Sequence, residues 1–306
     1  MNINITDDIK QANCITHAGT FHADEVFATI ILSKVLKKVS VARVSSVDIK
    51  NVNEGTIIYD IGGGKFDHHQ LGGNGQRPNG VKYASCGLIW MEYGKQLLKK
   101  YNLENEKIDE LWNQIDKNLI QYIDANDNGQ VPNIDTGYKF IHLARIIGEF
   151  NPSWNSNEDP DECFIEAIKV ANIIFEKIID KEIAKFEAKE LVNNAIEETQ
   201  DGIMILKQFL PWKEILLTSD NPRAKEINFV VFPSNRGGFN AYTVPIEMGS
   251  FESKKKFPKE WGGLKDDNLQ NVTGVKTARF CHNACFMCVA DTKEDAVRLA
   301  EIANKN

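Results

Sequence analysis

The chain has 306 residues, 42% of them apolar and 26% charged, with a formal net charge of −7. That length suits one large domain plus a smaller one, and the acidic balance argues against a protein that coats duplex nucleic acid. No apolar run reaches the roughly 18 residues of a membrane span. The opening MNINITDDIK has neither the apolar core of a signal peptide nor the Arg-rich pattern of a transit peptide, which predicts a cytoplasmic protein whose six cysteines stay reduced.

In chain order, NCIT (13–16) reads as a buried strand and DEVFATIILSKVLKKV (24–39) as a helix with apolar residues at helical spacing and lysines near its end. VARVSS (41–46) and TIIYDIGG (56–63) read as strands. SCGLIWMEYGKQLLKKY (85–101) reads as a helix with Ser85 as its N-cap, and 106–127 as another. Strand–helix alternation predicts a parallel sheet with helices on its faces, and in such sheets ligands bind beyond the carboxyl ends of the strands. From 159 to 198 the pattern is helical, with a stripe at Phe164, Ala167, Ile168, Ala171, Ile174, Phe175 and Ile178 that reads as core-facing. After Gly202 the texture changes. INFVVFPS (227–234), FNAYTVP (239–245) and ARFCHNACFMCVA (278–290) each read as a strand, and TKEDAVRLAEIA (292–303) as a closing helix capped by Thr292 and Asp295. The expectation is an α/β chain: a parallel-sheet domain over 1–200 that includes the long helix, a smaller mixed α+β domain over 201–306, and an active site in the cleft between them.

Four of the six histidines fall in two short segments, THAGTFHADEV (16–26) and YDIGGGKFDHHQ (59–70), each at a strand's carboxyl end. The candidate ligands are His17, His22, Asp24, Asp60, Asp67, His68 and His69, with Asp124 and Asp127 from IDANDNG. Packing alone gives no reason for His68 and His69 to follow Asp67 in a loop, and acids gathered there are costly without a cation. The set is too large for one ion. Two divalent metals suit it, with a carboxylate such as Asp60 between them. Mixed imidazole and carboxylate donors without thiolate favour manganese, with magnesium or cobalt next, over structural zinc. For Asp124, a surface helix-end acid is an equal reading.

The DHH tripeptide after a strand ending in Asp, with a His-rich motif upstream, resembles the DHH phosphoesterase superfamily of pyrophosphatases, exopolyphosphatases and exonucleases. The motifs THAGTFHADE, YDIGG, DHHQ, SCGLIW, IDANDNG, NPSWN, VVFP, FPKEWGGL and FCHNACF, in this order over nearly the whole chain, resemble more closely the MYG (melanocyte proliferating gene) family. That resemblance implies one metal held by His17, His22 and Asp60, and a second by Asp24, Asp60, His68 and Asp127. It implies that Asp67 orients a histidine and that His69 reaches a phosphate. Superfamily relatives more often carry Asp where His22 stands, which makes this set one charge less negative. Asp127, followed by Asn128 and Gly129, matches the superfamily's Asp-Thr-Gly-like element better than Asp124 does.

Further substrate contacts are read at Arg77, Lys82 and the helix start at Ser85, within the long Gly-rich loop 71–85 that suits a substrate lid, and at Arg236 and His282. CHNACFMC could offer zinc or an iron–sulfur cluster four ligands. Strand alternation would split them between two faces, so the cysteines read as small apolar core residues. The reading is a metal-dependent phosphoesterase, by resemblance a 3′–5′ exonuclease on RNA or short oligonucleotides. The alternatives are an inorganic pyrophosphatase or small-nucleotide phosphatase, and a non-catalytic metal-binding regulator. Tyr83, Trp154 and Phe239 are candidates to stack bases, which a pocket for short anions would lack. No membrane partner is expected, a homodimer is allowed, and the resemblance allows nucleus or mitochondrion in a eukaryote.

Overall fold

Short apolar runs build the N-terminal sheet, and its central helix is buried on every side. The computed structural model describes residues 2–131, 137 and 140–305. The chain divides into two compact units, Met1–Glu182 and Ile183–Asn306.

In the first unit, β1 (Ile3–Ile5), β2 (Cys14–His17), β3 (Val39–Val44) and β4 (Ile57–Ile58) form a sheet in the order β1-β3-β2-β4. Every pairing is parallel, as strand–helix alternation predicts. β1 was not expected. It adds Ile3 and Ile5 to the edge beside Val39 and Val41. The crossover from β2 to β3 is α1 (Ala23–Val35), in which Ala23 through Leu32 are all buried. The helix therefore has no solvent-facing polar stripe in that stretch, and Asp24 and Glu25 are carried inside with it. β4 is much shorter than the run 56–63 suggested. The chain leaves the sheet at Tyr59 and turns at Asp60, where φ is +60°.

Next come α2 (Ser85–Leu98), α3 (Asn105–Ile115) and α4 (Gln121–Asp127). The helix expected over 106–127 is interrupted by a π-helical turn at Asp116–Ile120, which shifts the register between α3 and α4. The stacked Trp90 and Trp112 rings join α2 to α3, with centroids 6.3 Å apart. His142 caps α5 (Leu143–Gly148) through its ring nitrogen and bonds the Tyr122 hydroxyl at 2.7 Å. α6 (Pro160–Glu197) buries Phe164, Ala167, Ile168, Ala171, Phe175 and Ile179 in steps of three and four, with Ile179 in the place expected for Ile178.

The boundary between the units falls inside α6 because its last turns belong to the second core. Ala188, Val192 and Ile196 pack with Met204, Trp212, Leu216, Val230 and Phe232. That unit holds β5 (Ile203–Ile205), α7 (Trp212–Leu217), α8 (Pro222–Glu226), β6 (Phe229–Pro233), β7 (Phe239–Thr243), α9 (Asp266–Thr273), β8 (Ala278–Cys281), β9 (Met287–Ala290) and α10 (Lys293–Lys305). The sheet runs β5-β6-β7-β9-β8, parallel between β5 and β6 and antiparallel elsewhere. The stretch 278–290, read as one strand, is a hairpin. Its turn brings Cys281, Cys285 and Cys288 into a single apolar core with Phe257 and Trp261, and leaves His282 outside it. All six cysteines are free and buried. The Thr292 hydroxyl accepts the Asp295 N–H at 3.2 Å, one half of the expected cap. Among the described residues, no helix is long and apolar enough to cross a membrane.

Candidate metal centre

The clustered histidines and acids meet at the carboxyl end of the parallel sheet. β2 delivers His17 at its last residue, and the turn after β4 delivers Asp60. A left-handed conformation is uncommon for a non-glycine residue and is a form of strain that gathers at functional sites. The glycines that follow let the chain reverse tightly; at Gly62 (φ +87°) a Cβ would come within 2.9 Å of the Val47 side chain. The reversal returns Asp67, His68 and His69 beside Asp60.

Asp60 presents its two carboxylate oxygens to two different histidines. Oδ2 lies 3.2 Å from His17 Nε2, and Oδ1 lies 3.2 Å from His68 Nε2. The Ser85 hydroxyl donates to Oδ1 at 3.2 Å. On one side, His17, His22 and Glu25 bring ligand atoms within 4.8 Å of one another; on the other, Asp24, His68 and Asp127 do the same. His68 Nε2 is 3.1 Å from Asp127 Oδ2. His69 belongs to a third grouping with Asp60 and His68. Asp67 fixes His69: its Oδ1 accepts the His69 backbone N–H at 3.0 Å and sits 2.8 Å from Nδ1, while Oδ2 accepts the Gly63 N–H at 2.6 Å. The His69 side chain itself is 61% exposed.

The electrostatics are those of a cation site. Burial, followed by the charges of Asp60, Asp127 and Asp124, pushes the Asp24 carboxyl well above its ordinary range. Burial opposes charging of His17 and His68, yet the carboxylates around them outweigh it. Asp60 and Glu25 hold His17 up to about 11, and Asp127 and Asp60 hold His68 up to about 11. Asp60 is held below the usual carboxylate range by the same histidines, against the burial that would raise it. His68 Nε2 and Glu25 Oε2 are buried without an aligned hydrogen bond. A nitrogen aimed between two carboxylates but bonded to neither is what a metal ligand looks like, and the donor set of imidazoles and carboxylates suits a hard or borderline divalent ion. The residues fit a metal.

Sequence reasoning missed Glu25. It is fully buried, lies 2.9 Å from His17 Nε2, and its Oε1 accepts the His22 N–H at 2.9 Å. The signal was present in the quoted motif, an acid at the third position of a helix beside a ligand segment.

The remaining candidate residues separate by place. Ser85 is the first residue of α2 rather than its cap; Ala84 holds the cap position without a side-chain bond. The open N–H groups of this helix are taken by the protein's own acids. Asp24 accepts from Ser85 at 2.9 Å and from Cys86 at 2.7 Å, and Asp124 accepts from Gly87 at 2.8 Å. A helix start already filled by carboxylates is no longer a site for a free anion. Gly87 is required there, because a Cβ would sit 1.9 Å from Asp124 Oδ2. Arg77, expected to meet an anion from a mobile lid, is 4% exposed. It donates through Nε and Nη2 to Asp116 at 2.8 and 2.6 Å, and through Nη1 to Asp124 at 2.7 Å, over the Tyr83 ring. Arg77 thereby pins the loop 71–85. Burial pushes the Asp124 carboxyl up to about 7 even with Arg77 beside it. Lys82 is exposed. Arg236 and His282 belong to the second unit, Arg236 exposed in the β6–β7 turn and His282 at the end of β8 against the Phe286 ring.

A sequence profile described as "Uncharacterised protein family (UPF0160)" matches residues 13–303. An MYG1 protein of Saccharomyces cerevisiae is 32% identical over 94% of this chain and 94% of its own. Proteins called MYG1 exonuclease in Homo sapiens and Mus musculus are each 27% identical over 93% of this chain, and over 84% and 83% of their own lengths. No solved structure matches the chain. With a family profile and a full-length relative agreeing over nearly every residue, the chain belongs to the MYG1 family.

Proposed function

We propose that this chain is a metal-dependent phosphoesterase of the DHH type, a 3′–5′ exonuclease acting on RNA or short oligonucleotides. The observation that carries the reading is the two-sided Asp60 carboxylate, with one oxygen toward His17 and the other toward His68. Relatives named MYG1 exonuclease support the substrate class.

His17, His22, Glu25 and Asp60 would hold one divalent ion, and Asp24, Asp60, His68 and Asp127 the other, with manganese favoured by the donor set. Bound ions of this kind neutralise phosphoryl charge and lower the pKa of water for attack. The chain's own groups orient the rest. Asp67 engages Nδ1 of His69, leaving Nε2 as the free ring nitrogen of an exposed side chain, which donates to a phosphoryl oxygen when the ring carries both protons and otherwise accepts. Ser85 holds Asp60 through its hydroxyl, so the shared carboxylate keeps its orientation while substrate exchanges.

The test is hydrolysis of a 5′-labelled RNA 12-mer with manganese, read as a ladder. Stepwise shortening from the 3′ end is expected. Asp60→Asn should lower the rate by at least 10–100-fold and weaken manganese binding in calorimetry, since loss even of an outer partner costs that much. Near wild-type turnover in Asp60→Asn, or cleavage of pyrophosphate with RNA left intact, would refute the proposal.

A further inference from the structure

The face of the second unit's sheet that turns away from α10 carries an unused constellation. Strand alternation sends Phe229, Val231, Ala241, Cys281 and Cys288 into one core. The opposite face shows Phe232 on β6, Asn240 and Tyr242 on β7, Met287 and Val289 on β9, and Phe280 on β8. Register pairs Phe232 with Asn240, Tyr242 with Met287, Asn240 with Val289 and Phe280 with Val289. Side chains of α6 and α7 cover the β5–β6 half of this face. The other half stays partly open, with Asn240, Tyr242, Phe280, Met287 and Val289 all half-buried.

Six rings run across it in sequence. Phe209 meets Phe232 at 5.6 Å, Phe232 meets Tyr242 at 5.3 Å, and Tyr242 meets Phe286 at 5.8 Å. Phe286 meets His282 at 4.3 Å, and His282 meets Phe280 at 6.3 Å. Exposed cations flank the row. Lys213 is 5.8 Å from the Tyr242 ring and Lys265 is 6.0 Å from the Phe280 ring, while Arg236 and Arg279 border a hollow of about 550 Å³ beside Tyr242. A second hollow of about 540 Å³, walled by Phe209, Trp212, Phe232 and Met248, adjoins it. The two share Asn235, Asn240 and Tyr242. Each is in the size range of a small-molecule site, about 300–1,000 Å³. The acids at hand are Glu214, paired with Lys185 at 2.6 Å, Asp266, and Asp291, whose exposed 3.4 Å contact with Arg279 competes weakly.

We infer that this open half-face binds single-stranded nucleic acid, with one base seated against Phe209 and Tyr242 and the adjoining phosphate held by Arg236 and Arg279; the inference rests on the nuclease reading. The occupant follows from the alternation of rings and cations. An apolar protein segment would fill the hollows and strand the guanidinium groups against carbon. A simple anion would use the cations and ignore the rings. Bases and phosphates in succession use both, and the Asn235 and Asn240 amides add donors and acceptors for base edges. Stacking is tolerant of base identity because every base has a π face.

The experiment uses the full chain in EDTA, which stops hydrolysis, and a single-stranded 8-mer carrying 2-aminopurine. The expected result is a rise in anisotropy with quenching of the probe. Tyr242→Leu should weaken binding by about 10-fold and abolish the quench, whereas Tyr242→Phe keeps both. Arg236→Ala with Arg279→Ala, both exposed positions, should reduce the salt slope by about one to two. A wild-type chain that leaves the 8-mer unbound at low salt overturns the inference, as does Tyr242→Leu with unaltered affinity and quench. Should Tyr242→Leu not fold, an unaltered salt slope in the double arginine variant overturns it instead. Hydrolysis of bis(4-nitrophenyl) phosphate by the wild type with manganese requires no base contact and tests the metal-centre reading apart from this surface.

Discussion

Replacing Arg77 by methionine should destabilise the first unit by about 3–5 kcal/mol, the cost of removing one partner from a buried ion pair. Three charge-assisted bonds are lost at once, two to Asp116 and one to Asp124. Each such bond is worth about 1.5–3 kcal/mol, but they share one guanidinium and do not add. Methionine fills much of the space and packs on Tyr83, so the cost comes mainly from the acids left behind. Asp124 is fully buried and keeps only backbone groups, at Gly87 and Ala84, among its described partners once the guanidinium is gone. Urea unfolding followed through Trp90 and Trp112 would read the loss directly. For a unit of this size each kcal/mol shifts the melting midpoint by about 2–4 °C. Adding Asp124→Asn should restore part of the loss, because the amide oxygen still accepts from Gly87 while the orphaned charge is gone. A surface arginine that meets substrate would behave differently, raising KM with the unfolding midpoint unmoved. That outcome, or a loss below about 1 kcal/mol, refutes the structural role.

Gly87→Ala should cost about 1–3 kcal/mol, since its methyl group displaces the Asp124 carboxylate from beneath α2, and a thermal melt checks it. Glu25→Gln keeps the acceptor for the His22 N–H but removes the charge facing His17; manganese affinity should fall about 10–100-fold in calorimetry, and unchanged affinity would count against a role in the centre. Phe175→Ala should cost about 3–5 kcal/mol in urea unfolding, because this fully buried ring packs edge-on against Phe27 with centroids 6.1 Å apart.

What could be read from sequence were the features written in local periodicity and composition. The parallel alternation, the long apolar stripe of α6 and the closing helix α10 all depend on neighbours within a few residues, and they appear where expected. The two histidine segments were visible because histidine is rare in this chain and its clustering needs a reason. Their convergence on Asp60 needed only that both segments end strands of one parallel sheet. Elements defined by distant partners were not visible. β1 is three residues long and exists because β3 lies beside it. The π turn at Asp116 presents its carboxylate to Arg77, 39 residues upstream, and no local spacing encodes that.

Charged residues were the hardest to assign, because the same side chain serves a site or a structure according to what lies opposite. Arg77 and Ser85 sit in a glycine-rich stretch that reads as a lid, yet one is clamped between Asp116 and Asp124 and the other opens a helix whose N-terminus Asp24 and Asp124 have filled. Asp24 and Asp124 therefore act on α2 before they act on anything else. Two backbone N–H groups bind Asp24 and one binds Asp124, so a fixed partial positive charge lies behind the carboxylates that face the candidate centre. The cysteines of the β8–β9 hairpin teach the reverse. Their spacing suggested ligands on alternating faces, but a turn between strands reset the alternation and put all three thiols into one apolar core. Faces can be counted along a strand only while the strand continues; this one stops at Cys281, and the positive φ of Cys285 (+55°) lies in the turn that follows.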